Sequence, residues 1–446
     1  MIVDVHVHAL PHRGQDALPE VVRQSRINGL SLALVSIGGS ISQYPDQDEV
    51  RRCNDEARDF TERSPGLCRW LAYLSPQNAN WRDELERCIE GGAIGVKLWT
   101  AFKDADGSMD NAVELVREAG ARGLPLLIHT FQKSAGNFPG EITIPEFAML
   151  AEACPDAQMV GAHAGGNWRH SIGVLRDRAP NAHLDVSGYF PERGLVEALV
   201  RDIGAERVLF GSDLAGRTLA SQLAKVVFAD IAEEEKELIL WKNAARLFDL
   251  EDIPAAPSAP LRPVEELPDF KTEHFCFCGR WPFYEGPWVE PPELDELLGE
   301  AGIELAYTGD FDTLYRQDLE WANNRFLAAV RGTRRIAPLA TVNPRAHNWR
   351  SVIRHLKDGF AGAILFPYMH NWRLDDPEHA EFFRTLAKRE VPVWINCFLS
   401  DDRARHSGLA CRPVAPDEAA AFCGGAPENR YVFQGLPGHY MAQILS

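Results

Sequence analysis

The first half of the chain alternates short apolar runs with longer stretches of helical periodicity. Such runs are typical of strands buried on both faces, and several of the helical stretches end at glycine, as helices commonly do. The predicted strands cover residues 2–8, 32–36, 69–74, 95–98, 126–129, 159–163, 183–186 and 208–212. Because parallel strands need helical crossovers, this alternation predicts an α/β fold with a parallel sheet. Eight strands in about 250 residues favour a closed, TIM-like (β/α)8 barrel; an open doubly wound sheet is the alternative.

A proline-rich segment interrupts this alternation. Residues 251–268, EDIPAAPSAPLRPVEELP, contain five prolines. Proline lacks a backbone N–H and has a fixed φ, so such a segment is typical of an extended tether. We therefore predict a barrel over residues 1–252, a linker over 253–268 and a second domain over 269–446.

The second domain repeats patterns of the first in the same order. The matching pairs are NGLSLALVS (28–36) with AGIELAYTG (301–309), NDEARDF (54–60) with NNRFLAA (323–329), SPQNANWRDELERCIEGG (75–92) with NPRAHNWRSVIRHLKDGF (343–360), and GLPLLIHTF (123–131) with EVPVWINCF (390–398). Four matches in one order predict a tandem repeat. The second copy ends soon after its sixth strand, so we expect an incomplete, barrel-like α/β domain that lacks its last two β/α units. Either the chain is truncated, or the first unit, a second copy or another partner covers the open edge.

Composition and charge narrow the class of partner. The 46 Lys and Arg against 64 Asp and Glu give a formal net charge of −18, which argues against nucleic acids and anionic membrane surfaces. No apolar run reaches the roughly 18 residues of a membrane helix, and the opening MIVDVHVH does not resemble a signal peptide. Nine scattered cysteines without a Cys-x-x-Cys pair are typical of reduced thiols. We expect a cytoplasmic protein that acts on a small molecule.

Side chains that commonly bind metals fall at the ends of five predicted strands. They are His6 and His8 on the first strand, Lys97 on the fourth, His129 on the fifth, His163 on the sixth and Asp213 just after the eighth. The carboxyl ends of barrel strands form the active face of this fold. The one-residue gap in His-x-His puts both imidazoles on one side of an extended chain, where they can share an ion. Each residue alone is as easily a packed or capping side chain, but their coincidence predicts a metal centre.

With these residues the first unit resembles the amidohydrolase superfamily, in particular the amidohydrolase-related branch that includes hydrolases and aromatic-acid decarboxylases. The resemblance runs from His6 to the NAARLFDL segment at 243–250. It implies that the metal ligands are His6, His8, His129 and Asp213. It also implies that His163 either binds a second metal or polarises the substrate carbonyl. Lys97 falls where two-metal members carry a carboxylated bridging lysine, which favours hydrolysis over decarboxylation.

The resemblance also implies a chemistry. A divalent ion lowers the pKa of its water to about 7, Asp213 takes a proton from that water and passes it to the leaving group, and His163 or the metal stabilises charge on the carbonyl oxygen. A histidine-rich site favours zinc, while manganese and the number of ions stay open. We expect a hydrolase of a lactone, ester or amide. The alternatives are a metal-dependent, non-oxidative decarboxylase of a small aromatic or enol acid and, from another class, a non-catalytic scaffold.

Residues that follow the ligand-bearing strands are candidates for contact with the substrate. They are Trp99, Phe131, Trp168, Arg169 and Arg217. An arginine can hold a carboxylate through two hydrogen bonds, although each of these side chains could equally pack a loop or face solvent.

The second copy lacks the ligand set. Its opening strand, HFCFCGRWPF, places Cys276 and Cys278 near the positions of His6 and His8. Asn396 replaces His129, Leu365 or Ile364 replaces Lys97, and Gly435 replaces His163. We therefore predict a catalytically inactive copy that serves packing or assembly.

Overall fold

The structure, a computed structural model, describes residues 1–9, 18–38, 42–133, 136–188, 194–214, 216–256, 271–281, 288–399 and 411–436. Contacts divide the chain into two units, Met1–Arg262 and Pro263–Ser446. The division falls between two residues of the segment predicted to be a linker. Both units are α/β, and their strands pair in parallel throughout the described sheets.

The first unit is built on two parallel sheets. Its strands are β1 (Val3–Ala9), β2 (Leu32–Gly38), β3 (Cys68–Trp70), β4 (Ala72–Leu74), β5 (Val96–Leu98), β6 (Leu126–Ile128), β7 (Met159–Gly161), β8 (Ala182–Asp185) and β9 (Val208–Leu209). One sheet has the order β1-β2-β3 and the other the order β4-β5-β6-β7-β8-β9.

The two sheets of the first unit are joined at both ends. β3 and β4 flank Leu71, whose N–H bonds Val35 on one side, while the N–H of the next residue, Ala72, bonds Gly95 on the other. They are therefore two halves of one strand of the predicted barrel. At the opposite end, Val7 and Leu214 form a parallel bridge between β1 and the segment after β9. This closed order is consistent with a TIM-type barrel.

Helices connect successive strands of the first unit, as parallel pairing requires. They are α1 (Leu18–Asn28), α2 (Gln47–Glu62), α3 (Trp81–Glu90), α4 (Asp110–Ala121), α5 (Ile144–Ala153), α6 (Trp168–Arg178), α7 (Leu195–Ile203), α8 (Leu219–Val227), α9 (Glu233–Glu237) and α10 (Asn243–Leu247). Capping boxes start two of them, Asp46 with Glu49 at α2 and Thr143 with Glu146 at α5.

An apolar layer fills the first unit at the amino-terminal halves of its strands. Its strand members include Val3, Val5, Leu127, Val160 and Leu209, packed with residues of α10. On each strand these apolar residues come first. The polar candidate follows, either later on the same strand or in the turn after it. The polar side chains are therefore gathered at the carboxyl end, above an apolar floor.

The second unit contains one six-stranded parallel sheet among its described residues. Its strands are β10 (Thr272–Cys278), β11 (Leu305–Asp310), β12 (Ile336–Thr341), β13 (Gly362–Leu365), β14 (Val393–Asn396) and β15 (Tyr431–Gln434), paired in that order. Its helices are α11 (Pro291–Glu300), α12 (Leu319–Ala329), α13 (Trp349–Arg354), α14 (Pro367–His370), α15 (Ala380–Ala387) and α16 (Pro416–Gly425). In the described part of the chain, none of the helices has both the length and the apolar character needed to cross a membrane.

Strands β1 and β10 have the same length and the same irregularity. Val3 pairs with Leu32 and Thr272 with Leu305, and in both strands the register shifts after the second pair. In each strand, a buried or half-buried carboxylate at the second position accepts the N–H two residues later: Asp4 from His6 and Glu273 from Phe275. By this register Phe275 and Phe277 stand at the positions of His6 and His8. The sequence-based expectation that Cys276 and Cys278 stand there is wrong by one residue, because the alternating Phe and Cys residues leave the pattern ambiguous.

In both units a helix carries an asparagine whose side chain bonds both the N–H and the C=O of one residue on the strand that follows. We call these residues the bracketing asparagines. Asn54 on α2 bonds the N–H and C=O of Tyr73 at 2.7 and 2.9 Å. Asn323 on α12 makes the same pair of bonds to Thr341, both at 2.9 Å. These asparagines occupy matching positions in the paired segments found in the sequence.

Candidate metal centre

Four polar side chains converge at the carboxyl end of the first unit. The Nε2 atoms of His6 and His8 are 3.2 Å apart, and the Nζ of Lys97 lies 2.9 Å from His6 Nε2. The carboxylate of Asp213 lies 3.5 Å from His8 Nε2 and 3.9 Å from His6 Nε2. These residues come from the first, fourth and eighth strand positions of the barrel, so its closure brings them together.

The spacing of these atoms fits a single divalent ion. Imidazole nitrogens bind zinc at about 2.0–2.1 Å, so two ligands of a tetrahedral ion lie about 3.4 Å apart. The separations of 3.2 Å between the histidine nitrogens and 3.5 Å from His8 to Asp213 match that value. Because Asp185 and the Ser36 carbonyl can only accept, they take the Nδ1–H of His6 and of His8, and both Nε2 atoms then present lone pairs 3.2 Å apart with no proton between them. The donor set therefore suits a metal better than it suits an internal hydrogen-bond network.

The second ring nitrogen of each of the two histidines is held by the protein. His8 Nδ1 lies 3.2 Å from the carbonyl oxygen of Ser36. His6 Nδ1 lies 2.8 Å from Asp185, a carboxylate buried at the end of β8. Partners of this kind fix the ring orientation of metal ligands. Sequence reasoning missed Asp185, although an aspartate in a short predicted strand was an available signal.

Asp185 also organises the turn that carries His163. It accepts the backbone N–H of His163 at 2.9 Å, and Ser187, whose N–H it also accepts, lies 3.0 Å from His163 Nδ1. His163 and Ala164 adopt φ values of 60° and 44°, the left-handed region that such residues rarely adopt. The prediction of strand through residue 163 was therefore wrong, since β7 ends at Gly161 and His163 sits in the turn that follows. Its ring centre is 4.9 Å from that of His6.

Asp213 lies in a second strained turn, with a φ of 60°. Its N–H bonds the carbonyl of His6 at 2.8 Å, which links the loop to β1. A Cβ on the nearby Gly211 would stand 2.9 Å from the His6 Cβ and 3.1 Å from Asp185, so only glycine allows this approach. Strain of this kind clusters at functional sites, and here it falls on two of the predicted site residues.

His129 joins the group from the end of β6 but faces another partner. Its ring centre lies 5.2 Å from that of His163, and its Nε2 lies 3.0 Å from Glu141. Glu141 also accepts the ammonium of Lys133 at 2.6 Å. Glu141 lies 12 residues beyond His129, and nothing in the sequence pattern marks it.

Burial and mutual charge set the ionisation of the cluster. Burial, assisted by the nearby Lys97, lowers the pKa of His6 to about 4, and burial lowers that of Lys97 to about 8. Burial also holds the pKa of His163 well below its usual range. For Asp213, burial favours the neutral acid, but its interactions with His8, His163 and His6 outweigh this effect and keep the pKa well below its ordinary value. Neutral imidazoles beside ionised carboxylates are the states that bind metals.

The predicted substrate-contact residues have different surroundings. Phe131 is buried, with its ring centre 6.3 Å from that of His129 and 6.1 Å from that of His163. Trp99 is half-buried and packs against the cluster of Ile37, Val50, Cys53 and Tyr73. Arg169 stacks its guanidinium over Trp168, 4.0 Å from the ring centre, and Arg217 donates to the carbonyl of its neighbour Gly216. Phe131 is therefore the candidate that the structure brings beside the histidines.

The matching positions of the second unit carry no comparable group among the described residues. Following the strand pairings, Ile364 stands where Lys97 stands, Asn396 where His129 stands and Gly435 where His163 stands. Gly435 has a φ of 74°, close to the 60° of His163, so the left-handed turn persists without the imidazole.

Comparisons with known proteins bear on the first unit. The sequence model of a family described as amidohydrolase matches residues 3–250, more than half of the chain. The curated proteins give no significant match. Among similar solved structures, 2,6-dihydroxybenzoate decarboxylase from Rhizobium has 18% sequence identity and a TM-score of 0.46, and the match covers 56% of this chain and 99% of that one. A dihydroxybenzoic acid decarboxylase from a Polaromonas species, with bound manganese and 2-nitroresorcinol, has 17% identity and a TM-score of 0.45, with coverage of 56% and 97%. A candidate 2-pyrone-4,6-dicarboxylic acid hydrolase from Pseudomonas putida has 19% identity and a TM-score of 0.44, with coverage of 56% and 98%.

Proposed function

Because the chain belongs to the amidohydrolase family, we propose that it is a metal-dependent hydrolase that acts at a carbonyl centre of a small molecule, a lactone, ester or amide. The observation that carries this proposal is the convergence of His6, His8 and Asp213 within 3.9 Å at the carboxyl end of the first unit. His129, His163 and Lys97 complete the proposed site. Zinc is the proposed ion because imidazoles dominate the donor set.

The protein's residues have distinct tasks in this proposal. When bound, the ion supplies Lewis acidity and a nucleophilic water at neutral pH. Asp213, which its neighbours keep ionised, accepts a proton as the carbonyl is attacked and returns it to the leaving group. His163 is held through Nδ1 by Ser187, whose hydroxyl donates to Asp185, so its other nitrogen keeps a lone pair and is available as a metal ligand. Phe131 excludes water beside both imidazoles.

Lys97 favours hydrolysis over decarboxylation in this proposal. Its burial lowers the pKa to about 8, so a fraction of the amine is neutral near pH 7 and able to react with carbon dioxide. The resulting carbamate would turn a cation beside His6 into an anionic ligand. A lysine that stayed cationic would instead repel an ion at this position.

We also propose that the second unit is a degenerate copy of the first. The shared register shift of β1 and β10, the bracketing asparagines, and the left-handed turn at Gly435 support this proposal. The ligand positions are filled by Phe275, Phe277, Ile364, Asn396 and Gly435, so we assign the unit to packing or assembly.

A screen of the metal-reconstituted protein tests the catalytic proposal. Chelator-treated protein is loaded separately with Zn²⁺ and Mn²⁺ and assayed against lactones, esters, amides and hydroxybenzoates. Metal-dependent hydrolysis is expected, with intact-mass or density evidence of a carboxylated Lys97. Release of carbon dioxide from hydroxybenzoates without hydrolysis would instead assign a lyase. Absence of any bound metal would contradict both enzymatic functions.

A further inference from the structure

A buried chain of three charged or polar groups lies directly beside the candidate metal centre. It consists of Lys133, Glu141 and His129, whose side chains are at most 7% exposed. The two carboxylate oxygens of Glu141 contact different residues. Oε2 accepts from the Lys133 ammonium at 2.6 Å and from the Phe138 N–H at 2.9 Å, while Oε1 faces His129 Nε2 at 3.0 Å. The charge of Glu141 is therefore already neutralised by Lys133, and the contact with His129 is additional.

The contact decides which nitrogen of His129 is available. Glu141 accepts the Lys133 ammonium and the Phe138 N–H on Oε2, so the group is a carboxylate that only accepts hydrogen bonds. His129 Nε2 must then carry the hydrogen, and Nδ1 keeps its lone pair. Phe131 lies nearly parallel to the ring, at an interplanar angle of 7°, and restricts its rotation. Nδ1 has no hydrogen bond to any residue that the structure describes.

We propose that Glu141 is a positioning residue for the metal centre: it holds the His129 ring by Nε2 so that Nδ1 faces the ion. The inference rests on the proposed function, since it requires that the site binds a metal. It differs from the arrangement at His6 and His8, where Asp185 and the Ser36 carbonyl hold Nδ1 and leave Nε2 for the ion. Lys133 keeps the Glu141 carboxylate in place; Phe138, whose ring centre is 3.3 Å from the Lys133 ammonium, covers that ammonium.

Cobalt binding to matched variants tests the proposal. Removal of such a partner typically weakens metal binding about 10–100-fold. Glu141→Gln keeps the size of the side chain but loses the charge, and it should weaken Co²⁺ binding by this factor and change the visible absorption of the bound Co²⁺. Glu146→Gln is the control, because Glu146 is a half-buried carboxylate of the same unit that also pairs with a lysine, Lys103. The control should bind Co²⁺ like the unaltered protein, at a similar melting temperature.

A double-mutant cycle separates positioning from general structural support. In a His129→Ala background, Glu141→Gln should have no further effect on Co²⁺ affinity, because the residue acts through His129. An equal effect in both backgrounds, or an unchanged affinity and spectrum in the single variant, would overturn the proposal. If Glu141→Gln does not fold, Glu141→Asp decides in the same way: the shorter side chain cannot keep both partners, so wild-type affinity in that variant also overturns it. Failure of the unaltered protein to bind Co²⁺ would instead refute the proposed function.

Discussion

Strands β1 and β10 share a length and a register shift, yet their surroundings differ. β1 is buried at every position because β2 flanks it on one side and residues 210–214 on the other. β10 pairs only with β11 among the described residues, and Phe275 is 46% exposed. A barrel that closes on its first strand can bury two imidazoles with partners on every side. A strand that is open on one edge has no such enclosure, and there the same positions carry phenylalanines.

The carboxyl ends of the two units show the same contrast in their polar groups. In the first unit Asp185 alone satisfies His6, the His163 turn and Ser187. In the second unit Asn396 is fully buried at the position that corresponds to His129, and neither polar atom of its amide has a hydrogen-bond partner among the described residues. Unpaired buried amides cost stability, so this polar position of the second unit lacks a network like that of Asp185.

Removing the metal should produce the largest difference between the units. Chelation should abolish turnover and lower the stability of the first unit, because an ion present at 1,000 times its dissociation constant contributes about 4 kcal/mol. Hydrogen exchange measured with and without Zn²⁺ locates the effect. Protection should fall in residues 3–9, 159–166 and 208–214 and stay constant in 272–278 and 393–396. Equal changes in both sets of residues would contradict the proposal that the first unit alone binds the metal.

The next largest effect should be the loss of turnover rate in the Asp213→Asn variant. Loss of a proton-transfer group typically slows turnover about 10²–10⁴-fold, and the amide cannot accept the proton. Steady-state rates on the substrate found in the screen measure the change, and circular dichroism checks the fold. Asp310→Asn is the matched control, a buried aspartate at the end of a strand in the second unit. A retained rate in the Asp213 variant would remove it as the proton carrier.

The bracketing asparagines offer a matched pair for stability. Asn54→Ala removes two bonds to Tyr73 and one to Glu84, whereas Asn323→Ala removes two bonds to Thr341. We expect each to cost on the order of 2 kcal/mol, with the larger loss at Asn54, because buried backbone groups are left unpaired. Denaturant midpoints measure both. If Asn323→Ala left the free energy of unfolding unchanged while Asn54→Ala lowered it, this result would contradict the correspondence between the units.

A smaller effect should come from pH. In the metal-free protein, burial lowers the pKa of His6 and of His183 to about 4 and that of His163 well below its usual range, so the unfolded chain binds more protons between pH 4 and 6.5. Their contribution is present above pH 6.5 and is lost as the pH falls. Asp4 and Asp310, with pKa values raised by burial to about 7 and about 6, oppose them, but two carboxyls do not offset three imidazoles. Melting temperatures of chelated protein should therefore fall from pH 7 to pH 5; a rise would contradict this balance.

The α/β class and the convergence of polar side chains at the candidate metal centre could be predicted from the sequence because both depend on periodic patterns. Apolar runs separated by helical stretches predicted parallel strands, and polar residues at their ends predicted a shared carboxyl face. What the pattern could not supply is geometry within a turn. His163 was placed on a strand, whereas two consecutive left-handed residues put it in a turn held by Asp185.

Residues that contact the site through another residue were also missed in the sequence. Glu141 reaches His129 across a loop, and Asp185 reaches His6 from two strands away, so neither shares a motif with its partner. The register of β10 shows a related difficulty. Phe275, Cys276, Phe277 and Cys278 alternate, and only strand pairing decides which pair stands at the histidine positions.

Anomalous diffraction at the zinc edge, from crystals of Zn²⁺-loaded protein, tests the central claim most directly. The account predicts a peak between His6, His8 and Asp213, with His129 Nδ1 and Lys97 close to the metal. It predicts no peak at the matching positions of the second unit, near Phe275, Phe277 and Asn396. Loaded crystals with no peak in the first unit, or with a peak in the second, would contradict it.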